Sequence, residues 1–209
     1  MNPTFLQNDP AVAHLLSYLR DLKTETPEYI ARTDNLATLV IAKALRDAPF
    51  EEISIETPLE KTTVRRIIEN KVIAVPILRA GLGMERAIVR LLPDAPIFHI
   101  GLRRDEETHL PNYYYDSFPE DLTGKTVFLL DPMLATGGSA SSAAKRISQL
   151  KPDKIVYCGI IGAPEGVENF IAEFPDVRIY LAALDDHLDN NAYIRPGLGD
   201  AGDRYYGTV

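Results

Sequence analysis

The sequence predicts an α/β fold with a central, mainly parallel sheet flanked by helices, and three observations predict it. Five short apolar runs, VIAVPIL (72–78), PIFHIGL (96–102), TVFLL (126–130), KIVYCGII (154–161) and VRIYLAAL (177–184), recur from residue 71 onward. Helix-length segments separate them. Runs that are apolar on both faces and alternate with helices describe a parallel sheet covered on both sides. The third observation is that residues 1–70 carry their apolar side chains at helical spacing instead.

In that N-terminal part, Asp9-Pro10 reads as a cap and first turn, followed by Val12, Leu15, Leu16 and Leu19 on one helical face. Thr26-Pro27 opens a longer helix through Ile30, Leu36, Leu39, Val40 and Leu45, ending near Pro49. The turn chemistry of Thr57-Pro58 places a third helix over about residues 59–69. No composition shift or repeat divides the 209 residues, so one domain is expected, with a helical part (1–70), an α/β core (71–184) and a terminal segment (185–209).

Composition narrows the function classes. With 22 basic and 30 acidic side chains the formal charge is −8, and a basic face for nucleic acid is not expected. No apolar run approaches the roughly 20 residues of a membrane span. The single Cys158 excludes an internal disulfide and a cysteine metal cluster. Together with an N-terminus unlike a secretory signal, this gives a reducing cytoplasm as the expected location. A small polyanion is still admitted, provided a local cradle of backbone N–H groups and a few arginines receives it.

In a doubly wound sheet, ligands bind beyond the carboxyl ends of the strands. There the chain offers Asp131-Pro132-Met133-Leu134-Ala135-Thr136-Gly137-Gly138-Ser139. Small residues let backbone approach a ligand, and amides opening a helix attract phosphate. Thr136 and Ser139 add hydroxyls, and Asp131 could accept from sugar hydroxyls. A plain β–turn–helix connection with Ser139 as cap is the bland alternative; the acid before the loop favours a sugar phosphate.

After the first run, Arg79-Ala80-Gly81-Leu82-Gly83 could hold an anion, although taken by itself a turn with a surface arginine explains it better. Residues 103–117 form a long polar loop, read as a lid over a site or as solvated surface. The block at 193–208 is rich in glycine and tyrosine. It suits backbone that touches a small planar ligand, or a tail packed for stability. Within it, 197–202 matches G-x-G-x-x-G, but only seven residues follow, so it is expected to open no helix and is rejected as a dinucleotide fingerprint. The four histidines are dispersed and make no metal cluster.

Taken together, VPILRAGLGM (75–84), RRDEET (103–108), LLDPMLATGGS (129–139), APEGV (163–167) and YIRPGLGDAGDRYYGT (193–208) resemble the blocks of the uracil phosphoribosyltransferase family, in its order. The resemblance covers residues 72–209 and implies a type I phosphoribosyltransferase fold in which 185–209 form a hood over the base. It implies that uracil and 5-phospho-α-D-ribose 1-diphosphate (PRPP) give UMP and diphosphate, with Mg²⁺. Carried over by motif, Asp131, Pro132, Met133, Leu134, Ala135, Thr136, Gly137, Gly138 and Ser139 hold the phosphoribose. Arg79 and Arg104 meet the diphosphate, and Asp200 contacts the sugar diphosphate and its metal. Arg79, Arg104 and Asp200 thus form the catalytic set, while Ile194, Gly199, Asp200 and Ala201 surround uracil. The resemblance further implies a homodimer or higher homo-oligomer, with GTP as an activator. The chain departs from the wider group in having one acid, Asp131, before Pro132, as the uracil branch does, and from the family's lid at Arg103 and 109–112.

Two other classes compete. A non-catalytic nucleotide-sensing regulator on the same scaffold would call for a basic RNA face, against the charge of −8. A phosphoribosyltransferase for a purine or for orotate is the other; orotate would need an extra cation near the base, for which Arg195 and Arg204 are candidates.

Overall fold

A computed structural model describes residues 3–104 and 111–208, with 103, 104, 111 and 112 in backbone only. The chain runs β1 (Thr4–Phe5), α1 (Pro10–Arg20), α2 (Thr26–Ala44), β2 (Phe50–Glu56), β3 (Lys61–Ile67), β4 (Val72–Leu78), α3 (Leu82–Leu91), β5 (Ile100–Arg104) and β6 (Pro111–Asp116). It continues through β7 (Thr126–Leu130), β8 (Met133–Leu134), α4 (Gly138–Ser148), β9 (Lys154–Gly162), α5 (Pro164–Glu173), β10 (Arg178–Leu184), β11 (His187–Leu188), β12 (Ile194–Arg195) and α6 (Ala201–Tyr206).

The predicted sheet is present, in the order β1-β10-β9-β7-β4-β5-β6, with β8 also on β9. All its pairings are parallel except β5 with β6. Strand alternation explains its two cores. Phe128 and Leu130 of β7 join the apolar cluster under α1–α3, while Val127 and Leu129 face the cluster under α4 and α5. Each is fully buried; truncating Phe128 to alanine should cost about 3–5 kcal/mol.

The first two N-terminal helices form as expected. The Asp9 carboxylate caps α1 by accepting from the Ala11 amide at 2.8 Å, and Pro27 lies in the first turn of α2. The third does not form. Residues 59–67 belong instead to an antiparallel hairpin, β2–β3, whose registered pairs Glu51–Arg66, Glu52–Arg65 and Glu56–Lys61 match opposite charges. Ile53, Ile55 and Val64 alternate with polar residues, a period of two that outweighed the helical reading. The Thr57 hydroxyl ties the turn by accepting from the Glu60 amide at 3.0 Å.

Two other expectations are corrected. The described parts of 103–117 are not a loop, since β5 and β6 pair as an antiparallel hairpin. The stretch 197–202 does open a helix, the six-residue α6, with Asp200 as its cap. Because β12 before it pairs antiparallel with β11, no βαβ unit results, and the fingerprint stays rejected.

Strand order fixes where a site can form. From β4 the chain steps outward to β5, whereas from β7 it steps the other way to β9 and β10. Connections therefore diverge between the carboxyl ends of β4 and β7, which leaves a crevice there.

Candidate active site

The crevice is a cleft of about 590 Å³ lined by two distant parts of the chain. Asp131, Met133, Ala135 and Ser139 come from the turn after β7, and Ile194, Gly199, Asp200, Ala201 and Gly202 from the C-terminal segment. Ala80 after β4 and Asn191, Ala192 and Tyr193 complete the wall.

The turn is held by its neighbours. β9 is longer than β7 and pairs first with it and then with β8, so residues 131 and 132 cross between the two pairings. The Asp131 amide donates to the Cys158 carbonyl at 3.2 Å, and the buried Tyr157 hydroxyl donates to the Asp131 carbonyl at 3.0 Å. Gly137 takes φ +85°, the left-handed region that glycine adopts without penalty, and a Cβ there would meet the Gly166 carbonyl at 2.9 Å. Asn169 of α5 donates its side-chain amide to the Thr136 carbonyl at 3.2 Å.

Helix α4 starts beyond this turn with no side-chain cap. Among the described residues the Ser139 and Ala140 amides have no protein acceptor, as the first turn of a helix leaves them. Together with the roughly half positive charge of the helix end, they are arranged as an anion would require. The Asp131 carboxylate lies at the mouth of the turn with one weak donor, the Met133 amide at 3.4 Å. Burial pushes its pKa up to about 7, which that single bond only partly offsets.

The opposite wall is a stapled tail. β11 and β12 form a short hairpin whose turn is organised by the Asp189 carboxylate, which accepts from the Asn191 amide at 2.9 Å and the Tyr193 amide at 3.0 Å. Gly199 takes φ +79°. The Asp200 carboxylate caps α6 by accepting from the Asp203 amide at 2.9 Å. Tyr205 packs against Gly83, and the Tyr206 hydroxyl donates to the Arg79 carbonyl at 3.2 Å.

Of the residues singled out in the sequence, Asp131, Met133, Ala135, Ser139, Ile194, Gly199, Asp200 and Ala201 meet on this one cleft. Pro132, Leu134, Thr136, Gly137 and Gly138 shape the turn without lining it; Leu134 is buried in the core. The Arg79 side chain, 63% exposed, lies outside the lining, 3.5 Å from the Asp203 carboxylate. Arg104 ends β5, and its side chain lies outside the described residues. Residues 105–110 of the expected lid also lie outside them. The sequence did not reveal Asn191, Ala192 and Tyr193 on the wall, nor Tyr157, Gly166 and Asn169 behind the turn. The sequence had marked 163–167 only as a block of a family, and Tyr193 only as part of a block suited to a small planar ligand.

No group of three His, Cys, Asp or Glu side chains gathers among the described residues. The two cleft carboxylates, Asp131 and Asp200, do not make a metal cage of their own. They suit a hard cation that arrives on a polyphosphate and keeps most of its own waters.

Known proteins share the sequence and the fold of this chain. A family model described as uracil phosphoribosyltransferase matches residues 6–208. The chain is 44% identical to a curated uracil phosphoribosyltransferase of Bacillus licheniformis over 208 residues, covering 100% of both. It is 46% identical to that of Streptococcus sanguinis over 199 residues, 95% of each. A solved protein structure from Aquifex aeolicus superposes with a TM-score of 0.91 at 34% identity, covering 97% of both chains.

Proposed function

This chain belongs to the uracil phosphoribosyltransferase family, and on that premise we propose how its cleft makes UMP and diphosphate from uracil and PRPP. The observation that carries the proposal is the convergence of the 131–139 turn and the C-terminal segment on one cleft.

The free amides of Ser139 and Ala140 receive the 5-phosphate, and Gly137 lets the backbone turn close beneath it. The Asp131 carboxylate accepts from the ribose hydroxyls, the donors it lacks in the free protein. Main-chain groups of Ile194, Gly199 and Ala201 read uracil. Cytosine, with its donor–acceptor pattern reversed at N3 and the exocyclic group, would leave buried polar groups unpaired there.

As the bond from the anomeric carbon to diphosphate breaks and that to uracil N1 forms, negative charge gathers on the leaving group. Arg79 and Arg104 stabilise it. Arg79 is free to do so because its exposed pairing with Asp203 is worth no more than about 1 kcal/mol. Holding N1 in line with the anomeric carbon removes much of the entropic barrier. Asp200 would hold Mg²⁺ carried in on PRPP, and the ion, when bound, supplies neutralisation of the diphosphate charge.

The base wall favours uracil over orotate. Arg195 donates through Nε to the Asp189 carboxylate at 2.8 Å, and the Arg204 guanidinium is taken up by main-chain carbonyls, that of Leu198 at 2.9 Å among them. Arg204 is thus committed to the main chain, and Arg195 already has a carboxylate partner in Asp189. No helix of the described residues is long and apolar enough to cross a membrane. A cytoplasmic homo-oligomer activated by GTP is the family expectation; sedimentation and activity measured with GTP test it.

The test of the reaction is incubation with PRPP, Mg²⁺ and uracil, cytosine, orotate, hypoxanthine and adenine, scored for nucleotide. UMP alone is expected; another nucleotide as main product, or none, overturns the assignment.

A further inference from the structure

The wall that faces the base hangs on the first helix of the chain. At its end, Arg20 reaches across 165 residues to Asp185, the residue just past β10. The two make a bidentate pair: Nη1 donates to Oδ2 at 2.8 Å and Nη2 donates to Oδ1. The Asp185 side chain is 1% exposed and that of Arg20 27%. The pair does not close on itself. Asp185 Oδ2 also accepts from the Gly197 amide at 2.9 Å, and Arg20 Nη1 also donates to the Gly197 carbonyl at 2.8 Å. Both main-chain polar groups of one residue are thus gripped by one ion pair.

Gly197 sits between Ile194 and Gly199, both of which line the cleft. It has φ +70°, and a Cβ on it would overlap the Ile194 carbonyl, so its conformation ties the two ends of the reading segment together. A second clamp acts one residue on. Arg204 donates to the Leu198 carbonyl at 2.9 Å while also donating to the carbonyls of Leu19 and, at 2.8 Å, Asp21. Residues 197 and 198 are therefore both anchored to the end of α1.

We infer that Arg20 and Asp185 are positioning residues for the base: they set the Gly197 peptide groups and so aim the main chain of Ile194, Gly199 and Ala201 at uracil. The inference rests on the functional reading above. Neither residue lines the cleft, so neither touches substrate. Guanidinium geometry matters because a planar fork holds the carboxylate and the carbonyl together, which an ammonium cannot do. Displacement of the reading groups weakens contacts to uracil and leaves the phosphate turn untouched, which separates this role from a general loss of folding.

The experiment measures steady-state constants for UMP formation by the full chain and its Arg20→Gln, Arg20→Lys and Asp185→Asn variants, with thermal melting alongside. Arg20→Gln and Asp185→Asn are expected to raise KM for uracil about tenfold or more, as small misplacements of binding groups do. KM for PRPP stays within about twofold, and kcat at saturating uracil within about threefold, on the same reasoning. Arg20→Lys, which keeps the charge but loses the planar fork of two nitrogens, falls between them and the parent. An unchanged uracil KM in folded Arg20→Gln overturns the inference, as does a parallel loss in all constants that tracks melting. Should Asp185→Asn fail to fold, the two Arg20 variants decide. A parent that makes no UMP overturns the functional reading instead, so the two failures are distinct.

Discussion

The α-carbon of Gly166 lies against the carbonyl oxygen of Ala135 so closely that no side chain fits between them. Gly166 lies in the first turn of α5 and Ala135 in the turn that lines the cleft, so the contact limits how closely that turn sits to the helix. Gly166→Ala is expected to push the turn into the cleft. Overpacking of this kind costs about 1–3 kcal/mol of stability. The displacement should lower kcat/KM for PRPP about 10²-fold, with KM for uracil little changed. Kinetics at 25 °C with a melting curve check this; unaltered PRPP kinetics would show that the contact does not position the turn.

If Asp131 receives the ribose hydroxyls as proposed, activity should depend on pH. Its folded pKa of about 7 lies above the ordinary aspartate value of 3.8, so the carboxyl is protonated below about pH 7 and ionised above it. In the proposed role the ionised form is the stronger acceptor for the ribose hydroxyls, while the protonated form turns one oxygen into a donor. We expect kcat/KM for PRPP to fall on the acid side with an apparent pKa near 7, and Asp131→Asn to lose both that limb and most of the activity. Stability runs the other way. The raised pKa favours the folded state at low pH, and that contribution is lost as pH rises from about 4 through about 7. Asp131→Asn should therefore gain on the parent in melting temperature between pH 5 and pH 8, two conditions chosen to bracket that shift.

Gly199 can be tested by conformation rather than bulk. A Cβ there meets only Arg204 Cδ, at an ordinary 3.5 Å, so a side chain has room. The backbone is the obstacle: φ +79° costs a non-glycine residue about 1–2 kcal/mol, more when β-branched. Gly199→Val should raise KM for uracil roughly tenfold or more and leave PRPP binding near normal. Isothermal titration with each ligand distinguishes the two.

Arg79 is exposed and weakly paired, so Arg79→Ala should change stability by less than about 0.5 kcal/mol. If it meets the diphosphate in the transition state, kcat should fall about 10²–10³-fold. A variant with parental kcat would remove it from the mechanism.

The strands were legible because β4, β7 and β9 are buried on both faces, a pattern that local sequence carries in full. The β2–β3 hairpin was not. Its partly covered Ile53, Ile55 and Val64 are few, and the cross-strand charge pairs that hold it are visible only once the register is known. The same distinction holds in the site. Asp131, Ser139 and the glycines of the tail announce themselves by type and spacing. Arg79 stood out less, a basic residue before two glycines, and its exposed side chain lies 3.5 Å from the Asp203 carboxylate, outside the lining. Tyr157, Asn169 and Arg20 act through contacts 26, 33 and 165 residues away along the chain, and nothing in their own neighbourhood marks them.

The most direct test of the central claim is a crystal structure of the chain with UMP. The account predicts the phosphate on the Ser139 and Ala140 amides and the pyrimidine against the main chain of Ile194, Gly199 and Ala201, with the ribose hydroxyls on Asp131. UMP bound elsewhere, or with its base outside the C-terminal wall, would contradict it.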